Sequence, residues 1–331
     1  MNEKALEVLE QYDLEILRTW KGRGVYFAET TGGICMLKEH RGSEERIEKL
    51  GTLLKALEEV SFFRTDFPVR TKEGNFLVKD SEETSYLLKR WQEGRECDPR
   101  SEQDVCRSME GLAILHSHAK GLWQFEEPSG REKFEGTDLS LEMEKRTREL
   151  KKVQTFIRKK RKKSEFESAY LEILPKFLPQ AEEMSRQMKE SGYEMLRRQA
   201  FLEGQICHGE YMQHNVLFDR SGMILTNFEH AHLDLAVVDI ALFLRKVLEK
   251  QGWRIGAGEK YLRAYEIVRP LCGEERKILG LGLSYPEKLW KLANHYYHTS
   301  KAWIPAKNLD KLKNFAGQQK ERERFVNRVL L

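Results

Sequence analysis

The residues best equipped for chemistry lie in one stretch, Ile206 to Lys246, which reads ICHGEYMQHNVLF, a turn DRSG, then MILTNFEHAHLDLAVVDIALFLRK. His208, Glu210 and Asn215 precede the turn; Asn227, Glu229, Asp234 and Asp239 follow it. Two chemistries suit these residue types. A carboxylate among neutral oxygen donors can take a hydroxyl proton while the oxygens hold a hard cation against phosphate. Alternatively, His208, His214, His230 and His232 with Glu210 and Glu229 offer imidazole and carboxylate ligands for zinc or iron. The spacing of those histidines fits no recognised metal motif, which favours the first chemistry.

Such side chains need a frame. Val216 to Phe218 reads as a strand, Asp219 to Gly222 as a hairpin turn, and Met223 to Thr226 as a return strand that delivers Asn227, Phe228 and Glu229. Asp239 then opens the helix IALFLRKVLEK. Upstream, Glu3 to Tyr12 has one apolar side and predicts a short helix, after which the period becomes that of strands. LEILRTW, VYFAET and ICMLKEH, joined by KGRG and a tight turn at Gly32-Gly33, predict three antiparallel strands with Lys38 late in the third. A strand lysine ordinarily extends to solvent. The other reading is a lysine reaching nucleotide phosphates, beneath a loop Lys21 to Gly24 that has two glycines but no GxGxxG.

Ile47, Leu50, Leu53, Leu54 and Leu57 predict a helix from Ser43 to about Val60, and NFLVKD and SYLLKRW predict two more strands. Residues 1–91 thus form a small sheet lobe, ended by a hinge at Trp91 to Gly94. Residues 92–331 read as a helical lobe, with helices expected over Ser101 to Lys120, Lys260 to Val268, Ser284 to His298 and Leu309 to Leu330. About 123–200 reads as a charged helical insertion. Its basic run, Lys151-Lys152 and Arg158 to Lys163, is flanked by acidic residues and predicts a solvated helix face, with no nucleic acid expected as partner.

Bulk properties agree. The 331 residues suit two lobes sharing a cleft, and a mix of 40% apolar and 33% charged residues is that of a globular chain. A net charge of +4 gives no general pull toward polyanions. The start lacks a secretion signal and no apolar run approaches the roughly 20 residues that span a bilayer, so a soluble, cytoplasmic protein without a membrane partner is expected. Cys35, Cys97, Cys106, Cys207 and Cys272 are odd in number without CxxC spacing, which predicts reduced thiols.

The run H-G-E-x-x-x-x-N, followed by a hairpin, Asn-Phe-Glu and a later Asp239, resembles the H-G-D-x-x-x-x-N signature of the aminoglycoside phosphotransferase and choline kinase-like family, relatives of protein kinases. More narrowly, CHGEYMQHNVLF, TNFEHAHLDLAVVDIALFLRKVLEK and LAILHSHAKG resemble the spore-coat CotS family of endospore-forming bacteria. The resemblance implies an α+β, protein kinase-like bilobal fold with a five-stranded antiparallel N-lobe carrying one helix and a larger helical C-lobe. It implies ATP and Mg as cofactors, with Lys38 at the phosphates and Arg90, Trp91 and Gln92 at the adenine-side hinge. His208 would brace the loop and Glu210 would stand where an aspartate accepts the hydroxyl proton. Asn215, Asn227 and Glu229 would face the metal, and Asp239 would hold the loop. A glutamate of the first helix, Glu48 or Glu58, would pair with Lys38.

Two positions depart from the pattern. Glu210 has one methylene more than aspartate, and Asn227 replaces the main metal-binding carboxylate. The resemblance therefore implies a spore-coat component made in the mother cell, a degraded phosphotransferase or pseudokinase with other coat proteins as partners. The alternative is an active ATP/Mg-dependent kinase whose partner is a small-molecule hydroxyl acceptor, a sugar or amino alcohol.

Overall fold

The computed structural model describes residues 7–22, 24–60, 63–125, 128–298 and 305–330. The fold is α+β, with a five-stranded antiparallel sheet in the N-terminal part and a mostly helical remainder, as the sequence predicts. Strands β1 (Ile16–Lys21), β2 (Val25–Thr30) and β3 (Gly33–Glu39) form a meander, and β5 (Leu77–Lys79) and β6 (Ser85–Arg90) complete the order β1-β2-β3-β6-β5. The pairing of β3 with β6 sets Met36 opposite Lys89 and Lys38 opposite Leu87. Facing residues of an antiparallel pair share one side of the sheet, so Lys38 and Lys89 lie on the same face as diagonal neighbours. Helix α1 (Glu44–Val60) buries the five leucine and isoleucine positions predicted for it. The expected helix over Glu3 to Tyr12 lies partly outside the described residues; the chain is helical from Glu7 to Leu9.

Strand β4 (Phe63–Thr65) leaves the N-terminal sheet and pairs in parallel with β10 (Gly222–Leu225), the return strand of the site hairpin. That hairpin, β9 (Val216–Asp219) with β10, gains β7 (Arg95–Glu96) on its other edge, giving the order β4-β10-β9-β7. Neither β4 nor β7 is expected from sequence, because two or three residues are too few to show an alternating pattern. A further small pairing joins β8 (Ile206–Cys207) to β11 (His232–Leu233) and closes the site loop on itself.

Helices α2 (Glu102–His118), α3 (Leu139–Lys159), α4 (Glu165–Glu190) and α5 (Tyr193–Glu203) follow. Ser101 caps α2 by accepting from the Asp104 N–H, which fixes where it starts. The charged segment about 123–200 is integral to the fold: Met143, Leu150, Phe166, Tyr170 and Phe177 enter the same core as α2. The basic run 151–163 lies at the surface, and Lys151 and Lys160 pair with Glu182 and Glu167 at 2.5 and 2.6 Å.

The remaining helices are α6 (Val237–Gln251), α7 (Ile255–Glu266), α8 (Gly273–Ser284), α9 (Glu287–His298), α10 (Pro305–Gly317) and α11 (Gln319–Val329). Helix α8 is not foreseen, since glycines within it weaken the helical signal. Its start is secured by a reciprocal cap between Cys272 and Glu275. The single helix expected over Leu309 to Leu330 is two. Phe315 packs on Phe177 at 4.8 Å and Phe325 on Trp253 at 5.8 Å, and the turn at Gln318 lets the two rings find separate neighbours. The five cysteines are free thiols. No described helix is long and apolar enough to cross a membrane.

Candidate active site

The lower wall of the cleft is the loop after β8. Asp239, fully buried at the start of α6, accepts from the His208 N–H at 2.6 Å and the Gly209 N–H at 3.0 Å. His116 of α2 lies against the same carboxylate at 3.3 Å and contacts the Tyr265 hydroxyl at 2.8 Å. Burial opposes ionisation of Asp239, yet the His116 hydrogen bond and the nearby His116, His208 and His232 rings together outweigh it and hold the carboxyl below its ordinary range. His208 Nε2 reaches the Thr226 carbonyl at 3.0 Å, and Nδ1 accepts from the Glu210 N–H at 3.2 Å. These partners fix the neutral Nε2–H tautomer, in keeping with the lowering of the His208 pKa by burial. Gly209 turns with φ +80°, and a Cβ there would lie 2.1 Å from the His230 carbonyl oxygen.

Asn215 donates to the Glu210 carbonyl at 2.8 Å, so the backbone of Glu210 is fixed while its side chain, 40% exposed, faces the cleft. His230 Nε2 stands 3.8 Å from Glu210 Oε1. His208, Glu210 and Asn215 therefore share one loop, as the spacing predicts. The four-histidine cluster weighed as a metal site does not form: His208 is buried on Thr226, whereas His214 and His230 are exposed. Among the described residues, the grouping of His, Cys, Asp and Glu compact enough for an ion is His116, Cys207 and Asp239. Two of these already bond each other.

The upper wall is ionic. Asn227 has φ +66°, a left-handed conformation that asparagine tolerates. Four groups hold it there. Its N–H donates to Asp66 at 3.0 Å, its Nδ2 donates to Asn215 Oδ1 at 2.8 Å, and its Oδ1 accepts from Lys38 at 3.2 Å and Lys89 at 3.1 Å. Glu229 Oε1 sits between the same two ammonium groups, 2.7 Å from Lys38 and 2.6 Å from Lys89. Lys89 also donates to Asp66. Lys89 is 2% exposed and Asp66 1%. Burial works against the charge on Lys89, but Asp66 and Glu229 outweigh it and raise the ammonium's pKa. Burial, and then the neighbouring Lys89, lower that of Lys38. Burial alone would raise Glu229; Lys89 and Lys38 instead hold it far below the ordinary carboxylate range.

The partner of Lys38 is thus Glu229. Glu58 instead accepts from the Thr65 N–H at 2.7 Å, and Glu48 pairs with Arg70 at 3.3 Å. At the hinge, the N–H groups of Arg90 and Trp91 donate to Phe67 and Ile34 carbonyls, both at 2.8 Å, and the Arg90 side chain is exposed. Trp91 packs edge-on to Phe27 at 5.3 Å, and Gln92 follows half-buried.

Three residues of this site are not foreseen: Asp66, Lys89 and Arg46. Arg46 of α1 donates to the carbonyls of Glu229 at 3.2 Å and Ala231 at 2.6 Å, which ties the N-terminal helix to the loop below. Lys89 leaves a trace in the sequence. A lysine within SYLLKRW sits on a strand whose neighbours are apolar, and a buried ammonium requires a carboxylate partner, here Asp66 of TDF.

In front of Glu210 opens a cavity of about 580 Å³ that reaches from His230, His232 and Asp234 to Arg146, Arg245 and Glu287. Asp234 is 1% exposed and its Oδ2 has no hydrogen-bond partner among the described residues. Burial raises its pKa from 3.8 to about 6.

The sequence model of the family described as "Spore coat putative kinase YutH" matches residues 5–329. The chain belongs to this YutH family of spore-coat kinase-like proteins. The resemblance to CotS-like proteins is borne out at that level. Its structure is similar to that of an aminoglycoside phosphotransferase from Alicyclobacillus acidocaldarius, with a TM-score of 0.82 and 20% identity, over 97% of this chain and 94% of that one. It is also similar to spectinomycin phosphotransferase in complex with ADP and spectinomycin, with a TM-score of 0.67 and 10% identity, over 97% and 98%. Amicoumacin kinase in complex with AMP-PNP and Ca2+ matches with a TM-score of 0.59 and 13% identity, over 98% and 96%. At such identities the likenesses establish the kinase-like fold.

Proposed function

We propose that this YutH-family protein is a spore-coat component that uses the kinase-like fold as a scaffold and has largely lost phosphotransfer. One observation carries the reading: the amide oxygen of Asn227 is filled by Lys38 and Lys89, and that of Asn215 by Asn227 itself. The side chains that would face nucleotide and cation are spent on one another. Glu210 adds to this, because a base one methylene too long misplaces its oxygen by about 1 Å, an error worth roughly 10²-fold in rate. The family supports a coat location; on this reading other coat proteins are the partners and the mother cell the site of synthesis.

A second reading, an ATP-dependent kinase of a small hydroxyl compound, is favoured by the cavity in front of Glu210. There Glu210 would accept the hydroxyl proton, and Lys38, 21% exposed, would swing to the phosphates. The neighbours bound to ADP or AMP-PNP support nucleotide as the ligand of that reading. Thermal unfolding with and without Mg-ATP separates the two. A nucleotide at 100 times its dissociation constant adds about 2.7 kcal/mol. We expect no shift at millimolar nucleotide and no acceptor-dependent ATP turnover; turnover by the unmodified protein overturns the scaffold reading.

A further inference from the structure

The fold implies a divalent cation between Asn215, Asn227 and Glu229, and the residues present do not fit one. Magnesium asks for near-octahedral oxygen at about 2.0–2.1 Å, with one or two carboxylates in the set. Of the side-chain oxygens at this place, Asn215 Oδ1 accepts from Asn227, and Asn227 Oδ1 accepts from two ammonium groups. Glu229 Oε1 is ion-paired to the same two ammonium groups. Glu229 Oε2 lacks a hydrogen-bond partner among the described residues, but an ion on it would stand beside two positive charges.

The two lysines are not equivalent. Lys38 is 21% exposed at the cleft, whereas Lys89 is 2% exposed, set by its strand register opposite Met36 and anchored from behind by Asp66. Asp66 in turn accepts the Asn227 N–H at 3.0 Å. Cation, counter-ion and the residue at the metal position thus form one hydrogen-bonded unit, of which Lys89 and Asp66 are buried.

We propose that the Lys89 ammonium is the resident cation of this cleft: it occupies the electrostatic place of the divalent metal, so the protein takes up no divalent ion there. The inference deepens the scaffold reading and rests on the kinase-like site only for where a metal would be sought. It explains the pairing of a lysine at position 89 with a neutral Asn227. A carboxylate at 227 would add a negative charge without admitting a metal, because Lys89 stays. Restoring a metal site therefore needs two changes, one to supply the carboxylate and one to remove the built-in cation.

The test uses Mn2+ as the probe and no nucleotide, so its outcome is independent of whether the protein binds or turns over ATP. The full chain, its Asn227→Asp variant and its Lys89→Gln, Asn227→Asp variant are titrated with Mn2+, following the free-ion signal by electron paramagnetic resonance. Wild type and Asn227→Asp are expected to deplete no Mn2+, and the double variant to take up one ion per chain that Mg2+ displaces. A stoichiometric, Mg2+-displaceable ion on wild type or on Asn227→Asp overturns the proposal, as does a folded double variant that gains none. If the double variant does not fold, as judged by circular dichroism, the first two proteins still decide: uptake by either refutes Lys89 as the excluding group, and its absence from both supports it.

Discussion

Asp234→Asn should make the protein more stable at neutral pH and leave it unchanged in acid. Asp234 Oδ1 accepts from the Leu235 N–H at 2.7 Å, but Oδ2 has no hydrogen-bond partner among the described residues, and the group is 1% exposed. His232 at 3.8 Å and Arg197 at 3.5 Å attract the carboxylate, though not enough to offset burial, which raises its pKa from 3.8 to about 6. A raised carboxyl pKa means that the folded state binds the proton more tightly than the unfolded state. Stability on this account is greatest below the unfolded value, falls as pH rises from about 4 to about 6, and stays reduced above that. At 1.36 kcal/mol per pKa unit the loss is roughly 3 kcal/mol. Asparagine retains the Oδ1 acceptor and does not titrate, so the variant avoids the loss. Urea unfolding of both proteins between pH 4 and pH 7 should show a difference of roughly 2–3 kcal/mol at pH 7 that closes toward pH 4. A gap independent of pH, or a variant less stable than wild type at pH 7, would refute the reasoning.

Two further predictions concern the loop. Asp239→Asn leaves one acceptor where the His208 and Gly209 N–H groups need two, and sets an amide against one of them. It should cost roughly 3 kcal/mol in urea unfolding, and a loss below about 1 kcal/mol would show that the carboxylate does not hold the loop. Gly209→Ala forces a left-handed alanine and a Cβ 2.1 Å from the His230 oxygen. A loss of about 1–3 kcal/mol is expected in the same assay, and an unchanged midpoint would mean that the turn does not need glycine.

How much of this was legible in the sequence depends on the range of each signal. The hairpin, the five-stranded sheet and α1 show through period and turn residues, which are local, and the order His208, Glu210, Asn215, Asn227 and Glu229 carries the family signature without any contact being known. What local pattern cannot show is who meets whom. The resemblance points to Glu48 or Glu58 of the first helix as the partner of Lys38, yet Glu229, far along the chain, reaches it at 2.7 Å. Lys89 reads as another strand lysine until β6 is set in register beside β3 and Asp66 is seen behind it. The short strand β4 leaves no local signal for the same reason, since its partner β10 is remote in sequence and only three residues pair.

That remoteness bears on motion. A phosphotransferase must open its cleft to exchange nucleotide, and here polar and ionic contacts cross it beside the apolar core that α1 shares with the helical part. Lys38 and Lys89 meet Glu229 and Asn227, Asp66 meets the Asn227 N–H, and Arg46 meets the carbonyls of Glu229 and Ala231. Opening would hydrate these groups, so the cost is the net worth of the bonds rather than that of bare buried charge. Hydrogen bonds to charged groups contribute about 1.5–3 kcal/mol each. Three of them at the lower figure exceed 4 kcal/mol, which leaves an open population on the order of one molecule in a thousand. The same residues that exclude a divalent ion thus hold the two halves of the cleft together. A fixed relation between the halves suits a protein that presents surfaces to neighbours in a coat better than one that cycles ligands.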